Sequence, residues 1–273
     1  MSVNISFLTQ NYFYFDKPVP YRVNRGAILI NPISVISSEV FLNSFDILTI
    51  DKNVIPDPKI IQMSYLEFLC VVLFSEEENV EKFINILNLC LGVESPMIKW
   101  TEDKKPLIFD EKSKIEINHI QFEDIKQIIL YQNFINYDDE YINPDLKKAM
   151  DEVDELKYKN IEPINIERKI AIITSHTGLS KKEQLEMSYR SHTALFEEVY
   201  GEVEYNALKS VATFGGKGEE VQWIYKKKQG KFDNYIKSVE SYNKDMGGNQ
   251  SIKQLNIENG LSTSYTKFYE NFK

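Results

Sequence analysis

Nine prolines lie in this 273-residue chain, and none of them follows Pro163. A proline removes a backbone donor and its ring clashes with the preceding turn, so it breaks a helix wherever it falls inside one. The stretch after Pro163 is therefore open to long helices, and its punctuation predicts where they begin and end. Asn165 can cap a helix from Ile166 to His176 that stops at Gly178, and Ser180 with Glu183 has the spacing of a capping box. That box opens KKEQLEMSYRSHTALFEEVYG, a longer helix with Leu185, Tyr189, Leu195, Phe196 and Val199 turned inward. A further helix, Glu202 to Thr213, runs into a cluster of glycines.

The proline-bearing half reads differently. Its first fifty residues read as strands followed by a short helix. KPVPYRV and GAILINPI flank the turn residues Asn24, Arg25 and Gly26, which predicts a hairpin. SSEVFLNSF then looks helical, with Ser37 or Ser38 as its cap, while Pro56 and Pro58 mark a turn-rich connection at 54–59 that excludes a regular helix. Two helices follow, Ser64 to Phe74 and Asn79 to Leu91, the second ending at Gly92 and burying Phe83, Ile86, Leu87, Cys90 and Leu91. LIF and KIEI around the charged DEKS make a second hairpin.

From Gln121 the pattern is helical. Phe122, Ile125 and Ile129 share one side of QFEDIKQIILYQN, with Ile128 and Gln132 at its edge. Asn143–Pro144 starts another helix, PDLKKAMDEVDELKYKN, whose thin stripe of Leu146, Met150, Val153 and Leu156 suits a partly exposed element that packs on a partner. The expected fold class is α+β, with three parts. Residues 1–118 form a small mixed domain with hairpins, residues 119–229 a mainly helical domain, and residues 230–273 a polar, flexible tail with isolated aromatics that folds on a partner.

Apolar residues make up 42% of the chain, enough to build a core in one large domain or two small ones. The net charge of −9 repels nucleic acid and anionic lipid, and Lys226, Lys227, Lys228 and Lys231 read as a solvated face. No nucleic-acid or membrane role is expected. MSVNISFLTQ lacks the marks of a signal peptide, and the longest apolar run, Phe68 to Phe74, is far short of the ~20 residues that span a bilayer. A cytoplasmic location follows as the expectation, with Cys70 and Cys90, each in an apolar run, acting as small hydrophobes.

Few residues offer chemistry. In ATFGGKGEEVQW, Gly218 is followed by Glu219 and Glu220 where a phosphate-binding loop needs Lys and Ser or Thr, so the glycines read as a helix end and a chain reversal. His119, His176 and His192 have no metal-site spacing, although the last two would meet if their helices were antiparallel. Asp138, Asp139, Glu140 and Asp145 lack the glycine and alternating ligands of a calcium loop. No catalytic residue, cofactor or metal is expected, and an enzyme with an unrecognised site built on the histidines or acids stays open as the rival class.

Three segments, GAILINPISVIS, FEDIKQIILYQN with its Gln132–Asn133 pair, and LKYKN followed by TALFEEVYG…EYNALKSVATFGG, resemble tail-module proteins of phages infecting low-GC Gram-positive bacteria. Those proteins are similar to tail assembly chaperones and baseplate-assembly factors made beside the tape-measure protein. The resemblance implies a non-enzymatic role in tail or baseplate morphogenesis, in the host cytoplasm or in the virion. Its partners would be tail or baseplate proteins, the tape-measure protein among them. A permanent virion component and an effector that binds a host protein are the alternatives. The candidate partner-binding residues are Tyr189, Phe196, Tyr200 and Trp223, four aromatics that otherwise would form the core of the helical half.

Overall fold

The computed structural model describes residues 3–139, 142–159, 162 and 164–214. Trp223, the glycines and acids of 215–220, Glu140, the lysines of 226–231 and the polar stretch 230–273 lie outside the described residues. The fold is α+β, with two small antiparallel sheets among many helices.

The chain begins with a helix where strands are expected. Helix α1 spans Ile5–Asn11, and the Asn4 side chain caps it by accepting from the Phe7 N–H at 3.0 Å. A 3-10 turn over Phe13–Phe15 then buries Phe13 and ends at Asp16, whose φ of 53° is left-handed. The first hairpin is as expected. Strands β1 (Val19–Arg22) and β2 (Ala27–Ile30) pair Val19 with Ile30 and Arg22 with Ala27, and Gly26 takes the positive φ of the turn. Period-two alternation puts Val19, Ile28 and Ile30 inside and Leu29 outside.

Helix α2 (Ser38–Leu42) confirms the helical reading but not its cap. A 3-10 turn at Val35–Ser37 precedes it, and the Ser38 hydroxyl donates back to the Val35 carbonyl at 2.7 Å rather than capping forward. The connection after it also differs from expectation. Pro58 does not exclude a helix; it opens one, α3 (Pro58–Gln62), because a first-turn residue has no intrahelical use for its N–H, and Asp57 caps it. Ser64 caps α4 (Tyr65–Phe68), which continues as a π-helical turn over Leu69–Leu73. Helix α5 (Glu77–Leu91) buries the five residues read from the sequence and ends at Gly92, φ 66°.

Strands β3 (Pro96–Trp100), β4 (Pro106–Asp110) and β5 (Glu116–Asn118) form one antiparallel sheet in that order, so the second hairpin gains an unanticipated third strand. Helix α6 (His119–Asn133) starts with a reciprocal Asn118–Gln121 capping box and sends Phe122, Ile125, Ile128, Ile129 and Leu130 into the core. That core also holds Phe13, Phe41, Phe68 and Phe83, so α6 shares one apolar interior with the elements that precede it. Its last two residues fix the hairpin: the Gln132 amide donates to the Lys17 and Ile30 carbonyls, and Asn133 Oδ1 accepts from the Ile33 N–H at 2.8 Å.

Among the described residues, 3–139, 142–144, 162 and 164–214 belong to one compact unit, and α7 (Pro144–Tyr158) belongs to another from Asp145 onward. On α7, Leu146, Val153 and Leu156 are exposed. Helix α8 (Ile166–Thr177) keeps its predicted Asn165 cap and its stop at Gly178, φ 76°. The Ser180–Glu183 box is present as well, but the helix it opens, α9 (Lys181–Glu186), is short. Helix α10 (Tyr189–Thr213) then runs for 25 residues straight through Gly201, so the two expected helices divide at Met187–Ser188 instead of at the glycine.

Candidate functional site

The division between α9 and α10 is made by tertiary bonds. Met187 is extended, its carbonyl accepts from the Val35 N–H at 2.9 Å, and the Tyr189 N–H donates to the Ile33 carbonyl at 2.6 Å. Ser188 then caps α10, its hydroxyl oxygen accepting from the Ser191 N–H at 3.0 Å. The Ser188 and Ser191 hydroxyls both donate to Asp16 Oδ1, at 2.6 and 2.8 Å. A carboxylate beside the first turn of α10 also suits the positive end of the helix dipole. The left-handed Asp16 thus clamps the start of α10 to the N-terminal elements.

Arg190 adds a second clamp. Its Nη1 donates to the Tyr131 and Phe134 carbonyls at 2.8 and 3.1 Å, satisfying the open C-terminal end of α6. A third polar centre sits between α8, α9 and α10. The fully buried Gln184 amide donates to Thr174 Oγ1 at 2.9 Å and to the Ile170 and Leu179 carbonyls. With those donors used, Gln184 Oε1 is left to accept from His192 Nε2 at 3.2 Å, which assigns the ring proton to Nε2. Burial, with Lys169 beside it, holds His192 below the usual imidazole range, so the ring is neutral at pH 7.

Past these clamps α10 presents one apolar face along its whole length. In the first half that face is covered. Tyr189 packs edge-on against Phe134 with ring centroids 6.2 Å apart, the Lys169 ammonium lies 5.4 Å from the Phe196 ring, and Val199 is buried. Helix α8 supplies the cover, but it has 12 residues against the 25 of α10 and runs out. Beyond it the same face stands in solvent: Tyr200 is 55% exposed, Val203 46%, Val211 52% and Phe214 90%. With the exposed Ala207 between them, these residues recur every three or four positions and form a single narrow stripe.

Of the four aromatics picked from the sequence, Tyr189 and Phe196 are half-buried, Tyr200 lies in the exposed stripe, and Trp223 is outside the described residues. Val203, Ala207, Val211 and Phe214 were legible at helical spacing in VEYNALKSVATF, but reading Gly201 as a helix end severed them from Tyr200. The inward set also needs correction. Leu185 and Leu195 are only half-buried, whereas the polar Gln184, Ser188 and His192 are buried. No protein family, curated protein or solved structure matches this chain.

His176 and Asp139 have local structural duties. His176 is exposed and bonded to the Ile172 carbonyl, whereas His192 is buried and bonded to Gln184. Asp139 accepts from Gln127 and from the Tyr131 hydroxyl, both at 2.6 Å. Cys70 and Cys90 are free, and burial pushes the Cys70 thiol up to about 12. Among the described residues no group of three or more His, Cys, Asp or Glu could hold a metal ion, and no helix is long and apolar enough to cross a membrane.

Proposed function

We propose that the protein acts through protein–protein contacts as an assembly factor for a phage tail or baseplate, working in the host cytoplasm. The observation that carries the contact role is the exposed Tyr200–Phe214 face of α10. A helix that buries its apolar face for half its length and bares it for the rest suits docking against an amphipathic helix. Tail components, the tape-measure protein among them, are the partners implied by the resemblance of the GAILINPISVIS, FEDIKQIILYQN and TALFEEVYG segments. The Gln132–Asn133 pair in the second of these bonds to Ile30 and Ile33 in the first, so the resemblance falls on residues that structure the body.

The test is quantitative mass spectrometry of gradient-purified particles and the lysate that produced them, from the host carrying this gene. An assembly factor is abundant in the lysate and missing from particles. A fixed copy number per particle would make the protein a virion component instead. No particle from the locus at all would remove the phage reading.

A further inference from the structure

The composition of the exposed face points to one occupant. We infer that α10 pairs with α10 of a second copy of this chain, antiparallel and crossing at Ala207, an inference that rests on reading this face as a contact surface. Tyr200, Val203, Ala207, Val211 and Phe214 are spaced three, four, four and three residues apart, a pattern symmetric about Ala207. The residue types mirror as well: aromatic, valine, alanine, valine, aromatic. A two-fold interface sets residue i against j and j against i, so it requires a surface that complements its own reverse. Here Tyr200 meets Phe214 of the second copy, Val203 meets Val211, and Ala207 meets itself.

Size supports the same geometry. Two straight helices are closest where they cross and diverge on either side, so the seam needs its smallest residue at the centre and its largest at the ends. Ala207, then valines, then aromatics provide that grading. The helix dipoles select the direction: antiparallel pairing opposes them, whereas parallel pairing aligns them. The seam from Tyr200 to Phe214 is about 21 Å long at 1.5 Å per residue. Such a contact is at the small end of stable interfaces, so the dimer dissociates on dilution.

Sedimentation velocity of the full chain over a concentration series tests the pairing. The expected result is a mass rising from one chain to two. Ala207→Asp places two carboxylates at the crossing point and weakens the dimer roughly tenfold or more. Ala207 is exposed, so an unchanged urea midpoint shows that the fold survives. Orientation is read by oxidation. Val203→Cys/Val211→Cys forms a covalent dimer, whereas each single-cysteine variant and the wild type, with its Cys70 and Cys90, do not. A chain that stays monomeric at every concentration, or a dimer cross-linked by Val203→Cys alone, overturns the inference. The two readings fail separately: a monomer whose tail assembly is lost with Ala207→Asp removes the self-pairing and keeps the function. A dimer lost with assembly intact does the reverse.

Discussion

The two halves of α10 carry one periodicity and meet opposite fates. From Tyr189 to Val199 the apolar face is covered by α8 and the end of α6, and the helix is clamped by Asp16, Arg190 and Gln184. From Tyr200 to Phe214 the same face continues, and among the described residues it has no comparable cover. Hydrophobic spacing alone fixes which side of a helix is apolar. Whether that side becomes core or contact surface depends on how far the neighbouring helix reaches, and α8 is half the length needed.

Substitutions can break this contrast in order of expected size. Phe122 is fully buried in the core, and Phe122→Ala should cost about 3–5 kcal/mol of stability, read from the urea midpoint. Arg190→Ala leaves the Tyr131 and Phe134 carbonyls without their charged donor. It should cost about 2 kcal/mol, and hydrogen exchange should quicken over the first half of α10 more than over α5. Ser188→Ala removes the cap and one of the two donors to Asp16, for a loss of about 1 kcal/mol.

A pH titration sharpens the same comparison. His192 is held neutral by burial in the fold, while in the unfolded chain it takes up a proton as pH falls through about 6.5. The unfolded state then binds more protons than the folded one, so the His192 contribution declines as pH drops below that value. His192→Gln should flatten the stability profile between about pH 5 and 7, the interval around the ordinary imidazole range.

Much of the body was legible because its signals are local. The Gly26 turn, the five buried positions of α5, the Asn165 cap and the Ser180–Glu183 box all rest on residues within a few positions of one another. What was misread depends on distant partners. Strand β3 has a single β-branched residue, Ile98, and exists through its pairing with β4. Nothing in QLEMSYRSH breaks a helix; the break comes from Ile33 and Val35, more than a hundred positions away in sequence. Gly201 misled in the other direction, since a glycine inside a long helix costs only about 1 kcal/mol. In the exposed stripe, Tyr200 is separated from Val203, Ala207, Val211 and Phe214 when Gly201 is read as a helix end, although α10 runs on to Thr213.

The most direct measurement is the urea unfolding midpoint of Tyr200→Ser/Phe214→Ser beside that of the wild type, with the mass in solution recorded on the same samples. If the second half of α10 is a contact surface, the variant should unfold within about 0.5 kcal/mol of the wild type, as surface substitutions do, and should lose association. A loss of roughly 3 kcal/mol or more, the size typical of emptied core positions, would show that these aromatics hold the fold together and would contradict the account.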